Sequence, residues 1–413
     1  MRVAIIGGGA AGMMCAARVQ EMNPSIDVFL IERNNGLGKK VIISGGGRCN
    51  VTTGIHDVKT LLTKYPRGNK FLTSAMYALP PESVYAWFED RGVPLKTQTD
   101  ERVFPVSDDG KDIVGVFNNV FDKSHVNVLL GHSVASVEKV KERFVIEFKD
   151  GQDPLIAEAL VLATGGQAYR QTGSKGDGYT FASELGHKIT PLAPSLNAFF
   201  TQEKWPAEIS GLSFESAGIT ANGSQKAHFQ GPFLFTHKGI SGPAVFALSS
   251  LTAFEVYNKN KPLSISINLF PRENQDELLA RLKEIVAKNG KKQFSNVLGG
   301  LVPKSLAKIV VGAVDISSTR RANGVSNVEL RRVVDWLMAI PLHVVQRGAG
   351  DEFVTAGGVD LSEVDPLTME SRVCSNLYFA GEILNVDGYT GGFNLQASWA
   401  AGHLAGTSIG ELA

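Results

Sequence analysis

The sequence predicts an α/β fold in which a doubly wound domain is built from both ends of the chain and encloses an inserted β part and an inserted helical part. Three observations predict it. A short apolar strand enters a glycine-rich turn and then a helix at 2–20. Short alternating segments with Gly and Pro punctuation follow over 195–270, typical of a β-barrel or a small sandwich. The α/β pattern resumes after about residue 345.

Composition sets the outer limits of the prediction. The 413 residues fit two or three domains. Lys plus Arg and Asp plus Glu both number 41, so the net charge is zero and no overall basic field favours nucleic acid or an anionic membrane. Three cysteines without paired spacing predict neither a disulfide framework nor a metal site, and indicate a reducing, cytoplasmic setting.

The N-terminal elements have the order strand, helix, strand. Residues 2–6 (RVAII) and 27–31 (DVFLI) read as buried strands, and 10–20 as the helix between them. The other predicted helices are 80–91, 112–121, 176–185, stretches within 272–338 and 394–409, and the other predicted strands are 127–130, 133–140, 143–149, 159–163 and 377–380.

The turn after the first strand contains GxGxxG, formed by Gly7, Gly9 and Gly12. Gly7 permits the tight turn, Gly9 lets backbone approach a pyrophosphate, and Gly12 allows close helix–strand contact. Glu32 follows Gly12 by 20 residues, at the end of the second strand. This spacing predicts a dinucleotide whose ribose hydroxyls donate to Glu32 and whose phosphates face the helix N-terminus.

Further glycine segments favour FAD over NAD as that dinucleotide. A second cradle at 36–50 is close to the first, 163–166 ends a buried strand, and 381–394 runs from a strand into a helix. A helix N-terminus at the flavin pyrimidine edge would stabilise the anionic reduced flavin. Lys39 and Lys40 either offset pyrophosphate charge or belong to a solvated loop, whereas Arg48 is expected to be functional.

These segments carry a resemblance to a known family. GLGKKVIISGGGRCNVTT (36–53), GSKGDGYTFASELGH (173–187) and LYFAGEILNVDGYTGGFNLQASWAAGHLAG (377–406) resemble the BaiN/YhiN-like, aminoacetone-oxidase-like flavoproteins over essentially the whole chain. The resemblance implies FAD, a discontinuous Rossmann-like domain with an inserted β-barrel and a small helical domain, and oxidoreductase activity on a substrate that it does not select. We expect the FAD domain at 1–190, the barrel at 191–271, the helical domain at 272–340, and the barrel end with the return at 341–413.

Most of the predicted cofactor-binding residues come from the glycine segments described above, and Arg33 and Val134 lie outside them. They are Gly7, Gly9, Ala10, Ala11, Gly12, Glu32, Arg33, Lys39, Lys40, Ser44, Gly45, Gly46, Gly47, Arg48, Cys49, Asn50, Val134, Ala163, Thr164, Gly165, Gly166, Gly381, Glu382, Asp387, Gly391, Gly392, Asn394 and Leu395.

The predicted chemistry is hydride transfer through the flavin to or from a small organic substrate. No cysteine pair supports dithiol exchange, and 348–353 is not a second GxGxxG. The hydride is therefore expected to come either from a substrate or from a nicotinamide that docks transiently over the flavin, with NAD(P)H and oxygen as the alternative co-substrates. His237 is a candidate acid or base and Tyr389 a candidate proton donor, with structural roles as the alternatives. An RNA-modification flavoprotein, opposed by the charge balance and the absence of aromatic–basic clusters, and a flavin-binding regulatory protein are the alternative functions.

Overall fold

A computed structural model describes residues 1–348 and 353–412, so the segment 348–353 lies largely outside the described residues. Its strands are β1 (Arg2–Ile6), β2 (Asp27–Glu32), β3 (Thr52–Thr53), β4 (Leu95–Thr97), β5 (Arg102–Pro105), β6 (Val126–Leu130), β7 (Val134–Val140), β8 (Arg143–Phe148), β9 (Leu155–Ala157), β10 (Ala159–Leu162), β11 (Ala193–Ser195), β12 (Phe199–Thr201), β13 (Ser213–Asn222), β14 (Lys226–Thr236), β15 (Gly239–Ser241), β16 (Leu263–Asn268), β17 (Ile340–Arg347), β18 (Val354–Ala356) and β19 (Leu377–Phe379).

Its helices are α1 (Ala10–Met22), α2 (Lys39–Ile43), α3 (Val58–Leu62), α4 (Thr73–Ala78), α5 (Pro81–Glu89), α6 (Gly110–Asp122), α7 (Asp177–Glu184), α8 (Pro243–Leu251), α9 (Gln275–Lys288), α10 (Phe294–Leu298), α11 (Lys304–Ala313), α12 (Asn327–Met338) and α13 (Phe393–Gly410). The chain divides into unit 1, residues 1–194 and 352–413, and unit 2, residues 195–351.

Unit 1 is built on a five-stranded sheet in the order β19-β10-β1-β2-β6. Its strands run parallel, with Ile5 level with both Leu30 and Val161. Apolar runs without alternation form such strands because helices cover both faces of a parallel sheet. The strand order reverses at β1, because β2 and β6 follow on one side of it and β10 and β19 are added on the other. The carboxyl ends of β1 and β10 therefore flank the switch point where this fold class binds its ligands.

Helices α1 and α13 pack directly on each other through glycines of α13. A Cβ on Gly402 would lie 2.2 Å from the Ala11 carbonyl oxygen, and one on Gly406 would lie 2.8 Å from that of Cys15. A Cβ on Gly410 would lie 2.4 Å from the Cβ of Met22. The residue numbers of these contacts increase in the same direction along both helices. Helices α1 and α13 therefore run parallel, and their N-termini point the same way.

Unit 2 combines a closed barrel with a helical part. The barrel order is β12-β15-β14-β13-β16-β17, and its last strand follows the helices in sequence. Barrel residues such as Phe235 and Leu342 share one buried core with helical residues such as Leu282 and Leu306. Capping boxes at Asn274 and Ser326 begin α9 and α12.

The predicted fold class is confirmed, and the β part of unit 2 is a barrel and not a sandwich. Some elements differ from the sequence prediction. Helix α8 lies inside the segment expected to be β, because apolar residues 244–248 pack on the barrel instead of pairing in it. Helices α2, α3 and α4 are short and carry little periodicity. In the described ranges, no helix is both long enough and apolar enough to cross a membrane.

Candidate functional site

The glycine turn after β1 lies at the switch point. A Cβ on Gly7 would lie 2.4 Å from the Ala163 carbonyl oxygen, and one on Gly12 would lie 1.9 Å from that of Gly7. A Cβ on Gly9 would meet nothing within 4 Å. Packing inside the protein therefore requires Gly7 and Gly12, whereas Gly9 leaves space in front of α1. Gly9 offers α1 no side-chain cap, so the first N–H groups can bind a phosphate.

Glu32 is held in place by the backbone around it. Its carboxylate accepts hydrogen bonds from the Gly8 amide at 2.9 Å, the Asn34 amide at 2.8 Å and the Asn34 side chain at 2.6 Å. A carboxylate has about four acceptor positions, so about one is left for a ribose hydroxyl. These hydrogen bonds fix the position of the Glu32 carboxylate. They also leave it fewer free acceptor positions than a ribose-binding role by itself suggests.

The segment 36–40, for whose lysines the sequence left open a pyrophosphate contact or a solvated loop, leads into a short helix. Gly38 has φ +62° and begins α2, which contains Lys39 and Lys40. The Lys39 ammonium donates to Asn34 Oδ1 at 3.0 Å, and Lys40 forms an ion pair with Glu382. Lys40 therefore connects the start of α2 to the segment after β19, and its charge is neutralised by Glu382.

The second glycine cradle is a turn at 44–47. Gly46 and Gly47 have φ +74° and +91°, and a Cβ on either would meet nothing within 4 Å.

Arg48 lies 4.0 Å from the Phe104 ring centroid and 3.8 Å from Asp108. Burial raises the pKa of the Cys49 thiol to about 12, so Cys49 packs as a neutral group. Ser44 donates to Val41, and Gly45 packs on Phe104.

Asn50 carries a buried acceptor that the protein does not use. Its Oδ1 has no hydrogen-bond partner among the described residues. The atom lies 3.1 Å from the point where a Cβ on Gly392 would stand. Because an unsatisfied buried oxygen costs stability, this position calls for an N–H or O–H donor from a ligand beside the start of α13.

Contacts that the sequence does not reveal require glycine at positions 391 and 392. A Cβ on Gly392 would lie 2.1 Å from the Thr52 carbonyl oxygen, and one on Gly391 would lie 2.6 Å from the Phe393 ring. Both have positive φ, +86° and +139°. Contacts within unit 1 therefore already require glycine at both positions, and their predicted contact with the cofactor stays a prediction.

The loop before α13 is anchored from several sides. Asp387 is completely buried and paired with Arg67 through both carboxylate oxygens. Asn394 accepts from the Gly388 amide at 2.8 Å and donates to the Gly388 carbonyl at 2.9 Å. Asp387 and Asn394, both predicted to bind cofactor, thus hold the loop shape by their side chains.

The N-termini of α1 and α13 form one arrangement. Gly402 is level with Ala11, and α13 begins nine residues before Gly402 while α1 begins one residue before Ala11. At about 1.5 Å per residue, the start of α13 lies roughly 12 Å beyond that of α1. Gly392 also offers no side-chain cap. Two positive helix ends therefore face the same direction at a set separation.

The remaining predicted residues are distributed around this arrangement. After β10, Ala163 is buried, Thr164 Oγ1 is buried without a partner in the described ranges, and Gly165 and Gly166 pack on Ser174 and Thr355. Around α1, Ala10 is the first helical residue and Gly381 packs on Ala11. Elsewhere, Arg33 pairs with Asp177, Val134 begins β7, and Leu395 lies in the first turn of α13.

The two candidate catalytic residues differ in setting. Tyr389 belongs to the anchored loop, and burial raises the pKa of its hydroxyl, with Arg67 lowering it and Asp387 raising it. The hydroxyl is therefore protonated at neutral pH. His237 is an exposed turn residue of unit 2 between β14 and β15. Their catalytic roles stay predictions.

Two residues important to the loop were not found from sequence. Arg67 pairs with Asp387, and the Tyr65 hydroxyl donates to the Phe393 carbonyl at 2.7 Å. Neither lies in a recognisable motif, and their partners are more than 300 residues away in the chain. A lone Arg and a lone Tyr between short helices carry no local signal for such contacts.

Comparison with known proteins decides the family. The sequence profile described as "HI0933-like protein Rossmann domain" matches residues 1–408.

The chain belongs to the HI0933-like family.

Two relatives align with the chain along nearly their whole length. The ribosomal RNA dihydrouridine synthase of Haemophilus influenzae is 31% identical, covering 98% of this chain and 97% of the relative. The 3-dehydro-bile acid delta(4,6)-reductase of Clostridium scindens is 28% identical, covering 99% of each. The 3-ketosteroid delta1-dehydrogenase of Sterolibacterium denitrificans has a similar fold, with a TM-score of 0.52 at 11% identity over 99% of each chain.

The predicted family, fold and enzyme class, a flavin-dependent oxidoreductase, are thereby confirmed. For this HI0933-like protein, the residues that bind the cofactor, the substrate and the co-substrate stay predictions.

Proposed function

We propose that this HI0933-like chain is an FAD-dependent reductase of a carbon–carbon double bond conjugated to a carbonyl group. The observation that carries the proposal is the parallel pair α1 and α13. Their uncapped, glycine-led N-termini face one way and are offset by roughly 12 Å along the helix axes. This arrangement suits a ligand with a diphosphate in its middle and, at one end, a ring that gains negative charge on reduction, as FAD has.

Residues of unit 1 fit both ends of FAD. The open backbone at Gly9 would hold the pyrophosphate at α1, and Glu32 would accept from the adenosine ribose. The unsatisfied Asn50 Oδ1 would accept from the N–H of the flavin pyrimidine ring, beside Gly392. The start of α13 would stabilise negative charge on that ring. An NAD-only protein would leave the second helix end and Asn50 without a use.

The reaction class is supported by what the two relatives share. A 3-dehydro-bile acid with double bonds at 4 and 6 is a dienone, and dihydrouridine is uridine reduced at the double bond conjugated to its C4 carbonyl. The substrates differ greatly, but each reaction adds a hydride and a proton across an alkene conjugated to a carbonyl. The shared chemistry is therefore a better guide than either substrate.

Each part of the reaction has a source. With FAD held at the starts of α1 and α13, its reduced form would supply the hydride for the β-carbon of the conjugated alkene. A reduced nicotinamide would supply the electrons from outside the chain. Tyr389 would donate the proton to the α-carbon, because its hydroxyl is protonated at neutral pH and lies in a loop fixed by the buried Asp387–Arg67 pair.

Anaerobic reoxidation tests the proposal. The holoprotein is reduced, excess reductant is removed, and a 3-oxo-4-ene steroid or uridine is added while flavin absorbance is followed. The saturated 3-oxo steroid and dihydrouridine are the matched controls. We expect the unsaturated compounds to reoxidise the flavin with loss of one double bond per flavin. Reoxidation by oxygen or by the saturated ketone, but by neither alkene, would overturn the proposal.

Denaturation of the purified protein tests the cofactor itself. We expect release of FAD and not FMN, because Glu32 and the start of α1 require an adenosine diphosphate half. Release of FMN alone would contradict the proposed use of both sites.

A further inference from the structure

Unit 2 contains a cavity of about 390 Å³ between helices α11 and α12 and strand β17. Its volume lies within the range of roughly 300–1,000 Å³ that is usual for small-molecule sites. The residues that matter for its chemistry are Glu203, Trp205, Lys308, Ile309, Trp336 and His343. All of them belong to unit 2, and none is predicted to bind FAD. A ligand of this cavity therefore does not depend on the proposed reductase.

Two tryptophans form the apolar wall of the cavity. The Trp205 ring packs on the Phe235 ring, with the centroids 5.4 Å apart, and on the Trp336 ring, with the centroids 5.9 Å apart at 52°. Together with Ile309, both indoles pack on the core of unit 2, yet each is only partly buried. Large aromatic surfaces that are fixed from behind and open in front favour a ligand with a flat ring.

Glu203 supplies a positioned carboxylate to the same cavity. Its Oε2 accepts from the His343 backbone amide at 3.0 Å, and its Oε1 accepts from His343 Nδ1 at 2.6 Å. A carboxylate has about four acceptor positions, so about two are left. The Glu203 side chain retains 21% of its exposure. The carboxylate is therefore held in place by His343 and can still accept hydrogen bonds from a cation in the cavity.

Lys308 supplies a positive charge that the protein does not pair. It lies on α11 and is exposed, and no ion pair or hydrogen bond of its ammonium group is found among the residues that the structure describes. Lys308 and Glu203 line one cavity without forming an ion pair with each other. Two opposite charges that share a cavity but do not meet are complementary to a ligand that carries both charges.

We propose that this cavity binds the zwitterion of an aromatic α-amino acid. The ring packs on Trp205 and Trp336, the ammonium group donates to Glu203, and the carboxylate accepts from Lys308. A ligand with only a negative charge is repelled by Glu203, and one with only a positive charge is repelled by Lys308. The zwitterion avoids both repulsions and gains two charge-assisted hydrogen bonds, which are stronger than neutral ones.

Calorimetric titration of the full-length holoprotein tests the ligand class. L-phenylalanine carries all three matched groups, whereas 3-phenylpropionate lacks the ammonium group, phenethylamine lacks the carboxylate and L-alanine lacks the ring. Each of the three analogues should bind at least about tenfold more weakly than L-phenylalanine, because each loses one contact. An analogue that binds as tightly as L-phenylalanine would overturn the proposal. So would the absence of saturable binding by L-phenylalanine, L-tyrosine and L-tryptophan alike.

Two substitutions assign the contacts to named side chains. Lys308→Gln should weaken L-phenylalanine binding at least about tenfold and leave phenethylamine binding as tight as in wild type or tighter, since only the amino acid carries a carboxylate. Trp336→Leu should weaken both ligands by the same factor. Lys283→Gln, which removes an exposed charge on α9 outside the cavity, is the control and should bind L-phenylalanine as wild type does.

Circular dichroism verifies that each variant is folded. Equal losses in Lys308→Gln and Lys283→Gln would contradict the proposed site, and so would a Lys308→Gln variant that loses phenethylamine affinity as strongly as L-phenylalanine affinity. Every readout is equilibrium binding without turnover, so these outcomes are independent of whether an enone reoxidises the flavin.

Discussion

Gly402 lies against the backbone of Ala11, so closely that a Cβ on Gly402 would stand 2.2 Å from the Ala11 carbonyl oxygen. The two residues are 391 positions apart, yet this contact sets the level of α13 on α1. Through it, the helix end proposed for the pyrophosphate and the helix end proposed for the flavin ring are held at one separation.

Gly402→Ala should destabilise the protein by about 1–3 kcal/mol, because the new methyl meets backbone that cannot turn away. Bound FAD per protein should fall as well. Gly115→Ala on α6 is the control, since a Cβ there meets nothing within 4 Å and alanine favours a helix by about 0.5–1 kcal/mol. Urea unfolding measures both. Equal stability of the two variants would show that the helices do not pack this closely.

Gly9→Ala should separate binding from folding. Its Cβ enters open space, so unfolding of the FAD-free protein should change by no more than about 1 kcal/mol. FAD affinity should fall at least about tenfold, or ~1.4 kcal/mol, because the methyl occupies the phosphate position. Gly12→Ala should instead lose stability directly, as its Cβ would lie 1.9 Å from the Gly7 carbonyl oxygen. Titration with FAD that shows normal affinity for Gly9→Ala would move the pyrophosphate elsewhere.

Asn50→Leu should shift two properties in opposite directions. Removing a buried acceptor without a partner should leave the FAD-free protein as stable as wild type or more stable. Loss of the proposed hydrogen bond from the flavin should weaken FAD binding by about 0.5–1.5 kcal/mol. Thermal unfolding without FAD and fluorescence titration with FAD give the two values. If both stability and affinity fall together, Asn50 is a structural residue and not a flavin contact.

Glu32→Ala should weaken FAD binding by at least about tenfold, because hydrogen bonds to charged groups contribute roughly 1.5–3 kcal/mol. Loss of the bonds from Gly8 and Asn34 should also loosen the turn. Asp27→Ala, at the exposed opposite end of β2, is the control and should bind FAD normally. An unchanged dissociation constant for Glu32→Ala would rule out Glu32 as a ribose ligand.

His403 on α13 should make stability depend on pH. Burial, and then Arg18, lower its pKa to about 4, while Glu21 raises it. The unfolded chain binds this proton below its ordinary pKa of about 6.5, and the folded protein does not. The free energy of unfolding should therefore fall between pH ~6.5 and ~4, by up to about 3 kcal/mol. His403→Gln should remove this part of the pH dependence and the exposed His125→Gln should not; identical pH profiles for both variants would contradict it.

The sequence by itself determined the parts whose chemistry is local. A phosphate-binding turn needs a strand, glycines at fixed spacing and a helix start in direct succession, and Gly7 to Gly12 show all of these. The apolar runs of β1, β2 and β10 likewise indicate strands buried on both faces. Local periodicity was less informative for short helices such as α2, which contain too few turns to show it.

Only the tertiary structure decided which distant residues meet. It closed the barrel with β17, paired Arg67 with buried Asp387, and gave Gly392 a cause in its contact with Thr52. It also paired Gln293 with Arg321 in a bridge outside the named strands. Such contacts depend on how whole elements pack against each other. Spacing along the chain does not encode them, because residues hundreds of positions apart become neighbours only when the core forms.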